Sequence, residues 1–562
     1  MPAPTNPLIV QSDKTVLLEV DNPQYEAARD ALASFCELVK APEHMHTYRI
    51  TPLSLWNAAA SGVTVEAMLE TLSNYGKWEL PANVRIDIVD YVARYGRVKL
   101  EAKKGDDGTE LWLTSPDDLL ITEIEYHKQI QPYLLGRPER GALRVDPTRR
   151  GHLKQALIKI GFPVEDLAGY VTGSPLEIEL RPTRLDGSHW GMRAYQEEAV
   201  DLFWAGGAAR GGSGVIVLPC GAGKTMVGLG AIAKIGTQTL IICTNIIAAR
   251  QWITELIDKT SIPAEAIGEY SGEKKEVKPI TVTTYQCLSY RKRGSEEFPH
   301  MEVFGARDWG LIVYDEVHLL PAPVFRITAE IQARRRLGLT ATLVREDERE
   351  DDVFSLIGPK KYDVPWRDLE KQGWIAQATC HEIRLPLADE LRMAYSIAGE
   401  REKYGVAACN PTKITVAEEL VTRHLNDNVL IIGQYIEQLE AIAEHFGAPL
   451  ITGKTKNAER EILYEGFRTG KIKLLIVSKV ANFSLDLPEA NVAIQVSGTF
   501  GSRQEEAQRL GRILRPKADG GQATFYTLVT RDTRDQDFAA NRQMFLTEQG
   551  YRYVISDGAP VV

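Results

Sequence analysis

The stretch Leu218-Pro219-Cys220-Gly221-Ala222-Gly223-Lys224-Thr225 follows an apolar run and opens a helical pattern. Glycines at such a junction let backbone N–H groups converge on phosphate oxygens at the positive end of a helix dipole. Gly221, Ala222 and Gly223 then form the cradle, Lys224 holds the β- and γ-phosphates, and Thr225 ligates Mg²⁺. The strict form of this loop has glycine where the chain has Leu218. Further on, Leu311-Ile312-Val313-Tyr314-Asp315-Glu316-Val317-His318 is an apolar run ending in adjacent carboxylates. Asp315 can hold the Mg²⁺ shell, and Glu316 can orient or deprotonate an attacking water. A strand capped by two solvated acids is the bland alternative, and the Gly-Lys-Thr loop on an earlier strand of the same sheet argues against it. His318 reads either as a satisfied polar group or as a relay of nucleotide state. Leu337-Gly338-Leu339-Thr340-Ala341-Thr342 ends with two hydroxyls, Thr340 and Thr342, which can cap the strand or bond the carboxylate strand.

A second constellation lies in Gln508-Arg509-Leu510-Gly511-Arg512-Ile513-Leu514-Arg515. On a helix, Gln508, Arg512 and Arg515 share one face through i,i+4 and i,i+3 spacing. Two guanidiniums aimed at one point suit a γ-phosphate in its transition state, and such groups are worth about 10³–10⁵ in rate. The alternative is an exposed amphipathic helix. Arg193-Ala194-Tyr195-Gln196 supplies a glutamine able to pair with an adenine edge, so ATP with Mg²⁺ is the expected nucleotide.

These groups need elements to hold them. Short continuous apolar runs at 214–218, 239–243, 280–284, 311–314 and 337–339 alternate mostly with helical patterns, as in βαβ units with a buried parallel sheet. The pattern repeats at 429–432, 450–452, 474–477, 492–495 and 525–529. Ahead of both lies a different region, with strands over 8–20 and helices near 23–40, 52–61, 64–76 and 81–95. The runs Val98-Lys99-Leu100 and Leu111-Trp112-Leu113, joined by a Gly/Asp turn, predict a hairpin. Three helices and a hairpin suggest a winged helix, and the same pattern fits a partner-docking domain. Strands at 119–125 and 141–145, a helix over 149–160 and an extended 176–180 make a second small unit. The predicted fold class is α/β: two tandem RecA-like parallel-sheet lobes, 186–370 and 371–562, behind small α+β domains at 1–118 and 119–185.

Composition bounds the rest. The 562 residues carry a formal net charge of -10, so contact with a polyanion must come from local basic patches. No leader pattern and no apolar run of about 18 residues is visible, which predicts a cytoplasmic, nucleoid-associated chain without a membrane partner. The 6 cysteines are scattered without a C-x-x-C pair, so reduced thiols and no iron–sulfur cluster are expected.

The order of these motifs resembles the superfamily 2 helicases. Finer blocks narrow it: Asp-Glu-Val-His at 315–318 followed by Leu319-Leu320-Pro321-Ala322, Thr340-Ala341-Thr342 running into Leu343-Val344-Arg345-Glu346-Asp347, and Val477-Ser478-Lys479-Val480. Ser484-Leu485-Asp486-Leu487-Pro488-Glu489-Ala490-Asn491 and the run from Gly501-Ser502-Arg503 to Arg515-Pro516-Lys517 complete them. Together they closely resemble the XPB helicases of nucleotide excision repair and transcription initiation, over most of 186–556. The resemblance implies ATP-driven 3′→5′ movement on DNA with unwinding or duplex translocation. It adds Asp486 to the ATP-binding set, places Arg345, Glu346 and Asp347 at the duplex fork, and makes 119–183 similar to a damage-recognition domain with Arg149, Arg150 and Lys154 as phosphate contacts. By composition alone, Arg345 to Asp352 is a charged solvated loop. DNA-tracking positions follow from lobe geometry at Thr244, Arg250, Thr284, Lys454 and Lys479. The front domain is expected to dock a repair nuclease or transcription and repair proteins. Two departures stand out: 386–412 leaves room only for a short thumb-like helical hairpin, and Ala481-Asn482-Phe483 lacks the Gly-Asp of many relatives. Rival readings are an RNA helicase and an ATP-gated DNA clamp without robust unwinding.

Overall fold

The computed structural model describes residues 2–558 except 41–43, 61, 106–107, 209–210, 220, 292–297, 321–323, 325–326, 329–330, 332–333, 342–349, 365–368, 371, 375–377, 479–489, 499–522, 549–550 and 552.

Both lobes are built on seven-stranded sheets in which every neighbouring pair is parallel. In the first, Ser213–Val217, Thr239–Cys243, Ile267–Tyr270, Ile280–Thr284, Leu311–Asp315, Arg335–Thr340 and Lys360–Asp363 lie in the order third, fourth, second, fifth, sixth, first, seventh. In the second, Ala378–Leu385, Val429–Gly433, Leu450–Ile451, Leu474–Ser478, Val492–Gln495, Ala523–Thr530 and Tyr553–Asp557 follow the same order. Two copies of one topology in tandem are what the repeating apolar runs predict. Central strands are buried along their whole length because helices cover both faces. The segment at 386–412 forms two helices, Asp389–Ile397 and Glu400–Ala408.

The front of the chain departs from expectation in three places. Leu8–Val10, Thr15–Glu19, Met45–Arg49 and Glu37–Lys40 form an antiparallel sheet in that order, packed on helices Tyr25–Ala33, Val65–Asn74 and Ala82–Arg94. The hairpin Lys99–Gly105/Gly108–Thr114 is not a wing on those helices. Its second strand pairs with Ala142–Val145, Leu113 opposite Leu143, and its apolar face packs against Ile121, Leu153 and Leu157. The expected boundary at 118 therefore cuts a sheet, and the hairpin belongs to the second unit. The run 119–125 is a helix, Asp118–Tyr126, rather than a strand, because the Asp117 carboxylate caps the N–H groups of Leu119 and Leu120. The expected extended run 176–180 joins no sheet; it lies on the first lobe through bridges, Pro175 to Thr237 and Leu180 to Thr260, with Leu176 N donating to Gly236 O and Ile178 in the lobe's core.

That strap crosses the lobe at closest range where two glycines meet. A Cβ on Gly173 would lie 2.3 Å from Gly310 Cα, and one on Gly310 would lie 2.4 Å from Thr172 O. Gly310 immediately precedes the strand that carries Asp315, so the strap helps fix where that strand begins. Gly310→Ala is expected to destabilise the chain by about 1–3 kcal/mol through overpacking. The check is equilibrium urea denaturation, and a midpoint equal to that of the unaltered chain refutes the close approach.

Candidate nucleotide site and nucleic-acid face

The first-lobe sheet brings the C-terminal ends of Ser213–Val217, Arg335–Thr340 and Leu311–Asp315 side by side, with Val217 opposite Thr340 and Asp315 opposite Leu339. Gly221 and Gly223 both have left-handed backbone, φ 83° and 80°, which side chains resist. Gly223 is doubly required, since a Cβ there would meet Gln196 Nε2 at 2.5 Å. It caps helix Lys224–Ile235, whose first-turn N–H groups face the loop. Tyr195 OH and Gln196 Nε2 both donate to Ala222 O, at 2.7 and 2.8 Å, and so brace the loop from behind.

Gln196 is thereby committed. Its Oε1 accepts from Arg193 N at 2.9 Å, and the residue is buried. The expected adenine-edge ligand is turned into the phosphate loop, and this corrects its reading as a presented edge. Arg193 lays its guanidinium over the Trp374 ring at 4.4 Å and donates to Tyr195 OH.

Across the loop, Lys224 Nζ stands 3.0 Å from Glu316 Oε1, both largely buried. Glu316 occupies left-handed backbone, φ 47°, a conformation that costs a non-glycine residue about 1–2 kcal/mol. Burial on its own would raise the Glu316 carboxyl, but the Lys224 ammonium and His318 hold it below the usual glutamate range. Asp315 moves the other way: burial, then the Glu316 charge beside it, pushes it up to about 6. Its oxygens accept from Trp252 Nε1 and from Glu316 N, each at 3.0 Å. A carboxylate has about four acceptor positions, so Asp315 keeps capacity for a cation. Among the described residues no three His, Cys, Asp or Glu side chains gather as a metal cage. The Asp315 carboxylate and the Thr225 hydroxyl are oxygen donors of the kind Mg²⁺ would take beside a bound phosphate.

His318 is buried with Nδ1 2.7 Å from Thr340 Oγ1 and 3.5 Å from Glu316 Oε2. The Thr340 carbonyl accepts from Leu218 N at 3.0 Å. Thr340 thus touches the strand leading to the phosphate loop and the loop after the carboxylates at once. Trp252 and Tyr285, which holds Asp315 O at 3.0 Å, were missed as site residues. Both sit in apolar patterns that read as core, and no signal in the sequence marks them.

The expected DNA positions fare unevenly. Thr244 lies just past the strand Thr239–Cys243, and Thr284 ends the adjacent strand, so they share one sheet edge. Thr284 is buried, and its hydroxyl caps Cys287 N at 3.1 Å, which corrects its reading as an available contact. Arg250 is half-exposed but already pairs with Glu269 and Glu273, at 3.4 and 2.6 Å. Lys454 is exposed on the turn after Leu450–Ile451. In the second unit, Arg149 is exposed, but Arg150 and Lys154 are buried against Asp166, at 2.5 and 3.0 Å. Those two hold the fold together and face no solvent, contrary to their reading as phosphate contacts. Thr342, Arg345, Glu346, Asp347, Lys479, Asp486, Gln508, Arg512 and Arg515 lie outside the described residues.

Comparison with known proteins covers the whole chain. Residues 369–560 match the family model "ERCC3/RAD25/XPB C-terminal helicase", 189–345 match "Type III restriction enzyme, res subunit", and 8–139 match "Helicase conserved C-terminal domain". The chain is 56% identical to the "DNA 3'-5' helicase XPB" of Mycobacterium tuberculosis over 98% of both chains. It is 55% identical to the protein of the same name from Kineococcus radiotolerans, over 98% of this chain and 96% of that one. It is 34% identical to the "General transcription and DNA repair factor IIH helicase/translocase subunit XPB" of Encephalitozoon cuniculi, over 99% of this chain and 84% of the relative. With near-complete coverage of relatives at more than half identity, the chain belongs to the XPB family of helicases.

Proposed function

We propose that the chain is an ATP-driven motor that moves 3′→5′ on DNA and separates its strands in nucleotide excision repair or transcription-linked repair. The observation that carries the ATPase half is the contact between Lys224 and Glu316, 3.0 Å apart at the mouth of the glycine cradle. An incoming triphosphate offers the ammonium a stronger partner than one carboxylate. Once Lys224 turns to the phosphates, Glu316 is released at the position from which it orients the attacking water. Asp315 and Thr225 would hold Mg²⁺, whose chemistry there would be to offset charge on the phosphate oxygens. Arg512 and Arg515, from the other lobe, steady the γ-phosphate as it leaves. The His318–Thr340 contact passes the state of Glu316 to the strand behind the loop. The family names of the relatives support DNA as the track and 3′→5′ as the direction.

Glu316→Gln is expected to keep ATP binding and lose at least about a thousandfold in turnover. Fluorescent-nucleotide titration beside steady-state phosphate release measures both, and near-normal turnover dismisses Glu316 as the water's partner.

On tailed substrates, ATP hydrolysis is expected to rise with DNA, with displacement from 3′-tailed duplexes and not from 5′-tailed ones. Stimulated hydrolysis without displacement on either substrate points to a clamp or translocase. Stimulation by RNA alone points to an RNA helicase.

A further inference from the structure

Both ends of the Gln196 amide are used inside the protein: Oε1 accepts from Arg193 N, and Nε2 donates to Ala222 O. A nucleotide seated on the phosphate loop therefore needs another partner for its base. Arg193 immediately precedes helix Ala194–Trp204, and its guanidinium donates to Tyr195 OH at 3.1 Å. That hydroxyl in turn donates to Ala222 O in the loop. The Trp374 ring lies against the same guanidinium, with its centroid 4.4 Å away. An indole thus stands beside the phosphate loop, linked to it through Arg193 and Tyr195.

Trp374 belongs to the connection between the lobes, after the strand Lys360–Asp363 and before the strand Ala378–Leu385. Its turn is fixed at several points. Leu369 is buried in the core, and its carbonyl accepts from Trp374 N at 2.9 Å. Gly373, with left-handed backbone at φ 73°, donates its N–H to Glu370 O at 3.0 Å. Glu370 is buried, and its Oε1 accepts from Ala378 N at 2.9 Å, which ties the turn to the first strand of the second lobe. The one polar atom of the indole, Nε1, donates to Gln372 Oε1 within the turn at 3.1 Å. The side chain is nevertheless 37% exposed. An indole whose N–H is satisfied locally, and whose ring stays out of the core, has a π-face to offer a ligand.

We propose that Trp374 is the platform on which the base of the bound nucleotide stacks, beside Arg193. The proposal rests on the reading of the glycine cradle and Lys224 as the triphosphate site. Stacking suits this place because a base has a π-face whatever its edges carry. The other use of the Arg193–Trp374 contact is a latch that holds the connection on the first lobe. A latch is indifferent to the base, and that difference can be measured.

The test uses the full chain carrying Trp374→Ala or Trp374→Phe. Calorimetric titration gives Kd for a non-hydrolysable ATP analogue and for inorganic tripolyphosphate, which has the phosphates and no base. Trp374→Ala is expected to weaken the ATP analogue about tenfold and to leave tripolyphosphate within about twofold. Trp374→Phe keeps a π-face and is expected to bind the analogue within about threefold of the unaltered chain. Unchanged affinity for the analogue in Trp374→Ala overturns the proposal. An equal weakening of both ligands also overturns it, because it reduces Trp374 to a latch that supports the loop. A Phe variant as weak as the Ala variant overturns it too. The melting temperature shows that the fold persists, and Trp374→Leu takes the place of an Ala variant that fails to fold. Lys224→Ala separates the layers: intact binding of both ligands there sinks the triphosphate reading, whereas loss there with a silent Trp374→Ala sinks only the platform.

Discussion

A cation and an anion that share one small buried space cannot be separated cheaply, and the contact between Lys224 and Glu316 has this character. Each keeps the other's charge tolerable where burial works against both. Removing either without a replacement leaves an uncompensated charge, so a phosphate that takes the ammonium must also change the state of the carboxylate. Asp315 shows the complementary effect. Out of water and beside the Glu316 charge, it is pushed up to about 6, even with the Lys224 ammonium pulling it down. A divalent ion there would favour its ionised form.

Geometry follows from topology. Both sheets run fully parallel in one order, so every strand delivers its C-terminal end to the same edge. Asp315, Thr340 and the phosphate loop converge because their strands are neighbours in that order, although Val217 and Leu311 are far apart in the chain. In the second lobe, Ser478 and the exit Val496-Ser497-Gly498 end neighbours of the Val429–Gly433 strand in the same way. A hydrogen bond at such an edge joins elements far apart in the chain. The His318–Thr340 contact, worth about 1 kcal/mol by itself, is of this kind.

The sequence was most legible where burial is two-sided. Central strands such as Thr239–Cys243 and Ile280–Thr284 are continuous apolar runs, and their limits coincide with the expectation. Two of the edge strands escaped notice because one side meets solvent: Lys360-Lys361-Tyr362-Asp363 has no apolar run, and Tyr553–Asp557 is nowhere fully buried. Leu119 to Glu125 looked like a strand because its apolar residues cluster, although Asp117 in front of them was a capping signal. Lys224 and Glu316 were readable because their loops have fixed spacing. Arg150 and Lys154 were misread because nothing local shows that Asp166 folds beneath them. Trp252 and Gln196 illustrate the general limit. Composition reveals that a side chain can donate a hydrogen bond, whereas only packing decides that the acceptor is Asp315 or Ala222 O.

The front units restrict how the lobes can move. Helix Glu350–Leu356, a few residues after Arg345-Glu346-Asp347, packs on helix Arg150–Lys159, with Gln155 Nε2 donating to Asp352 Oδ1 at 2.9 Å. Trp56, Ile158 and Phe354 close a small apolar cluster there, drawn from the first unit, the second unit and the first lobe. Those three bodies are therefore joined at one cluster. The second lobe meets the first unit elsewhere, where Met544 of helix Arg534–Glu548 enters the core beside Leu38. Burying one methionine stabilises by about 1.5–3 kcal/mol, well below what a shared three-body junction can supply. The first unit is thus anchored twice, in the cluster at Phe354 and in the core that Met544 enters.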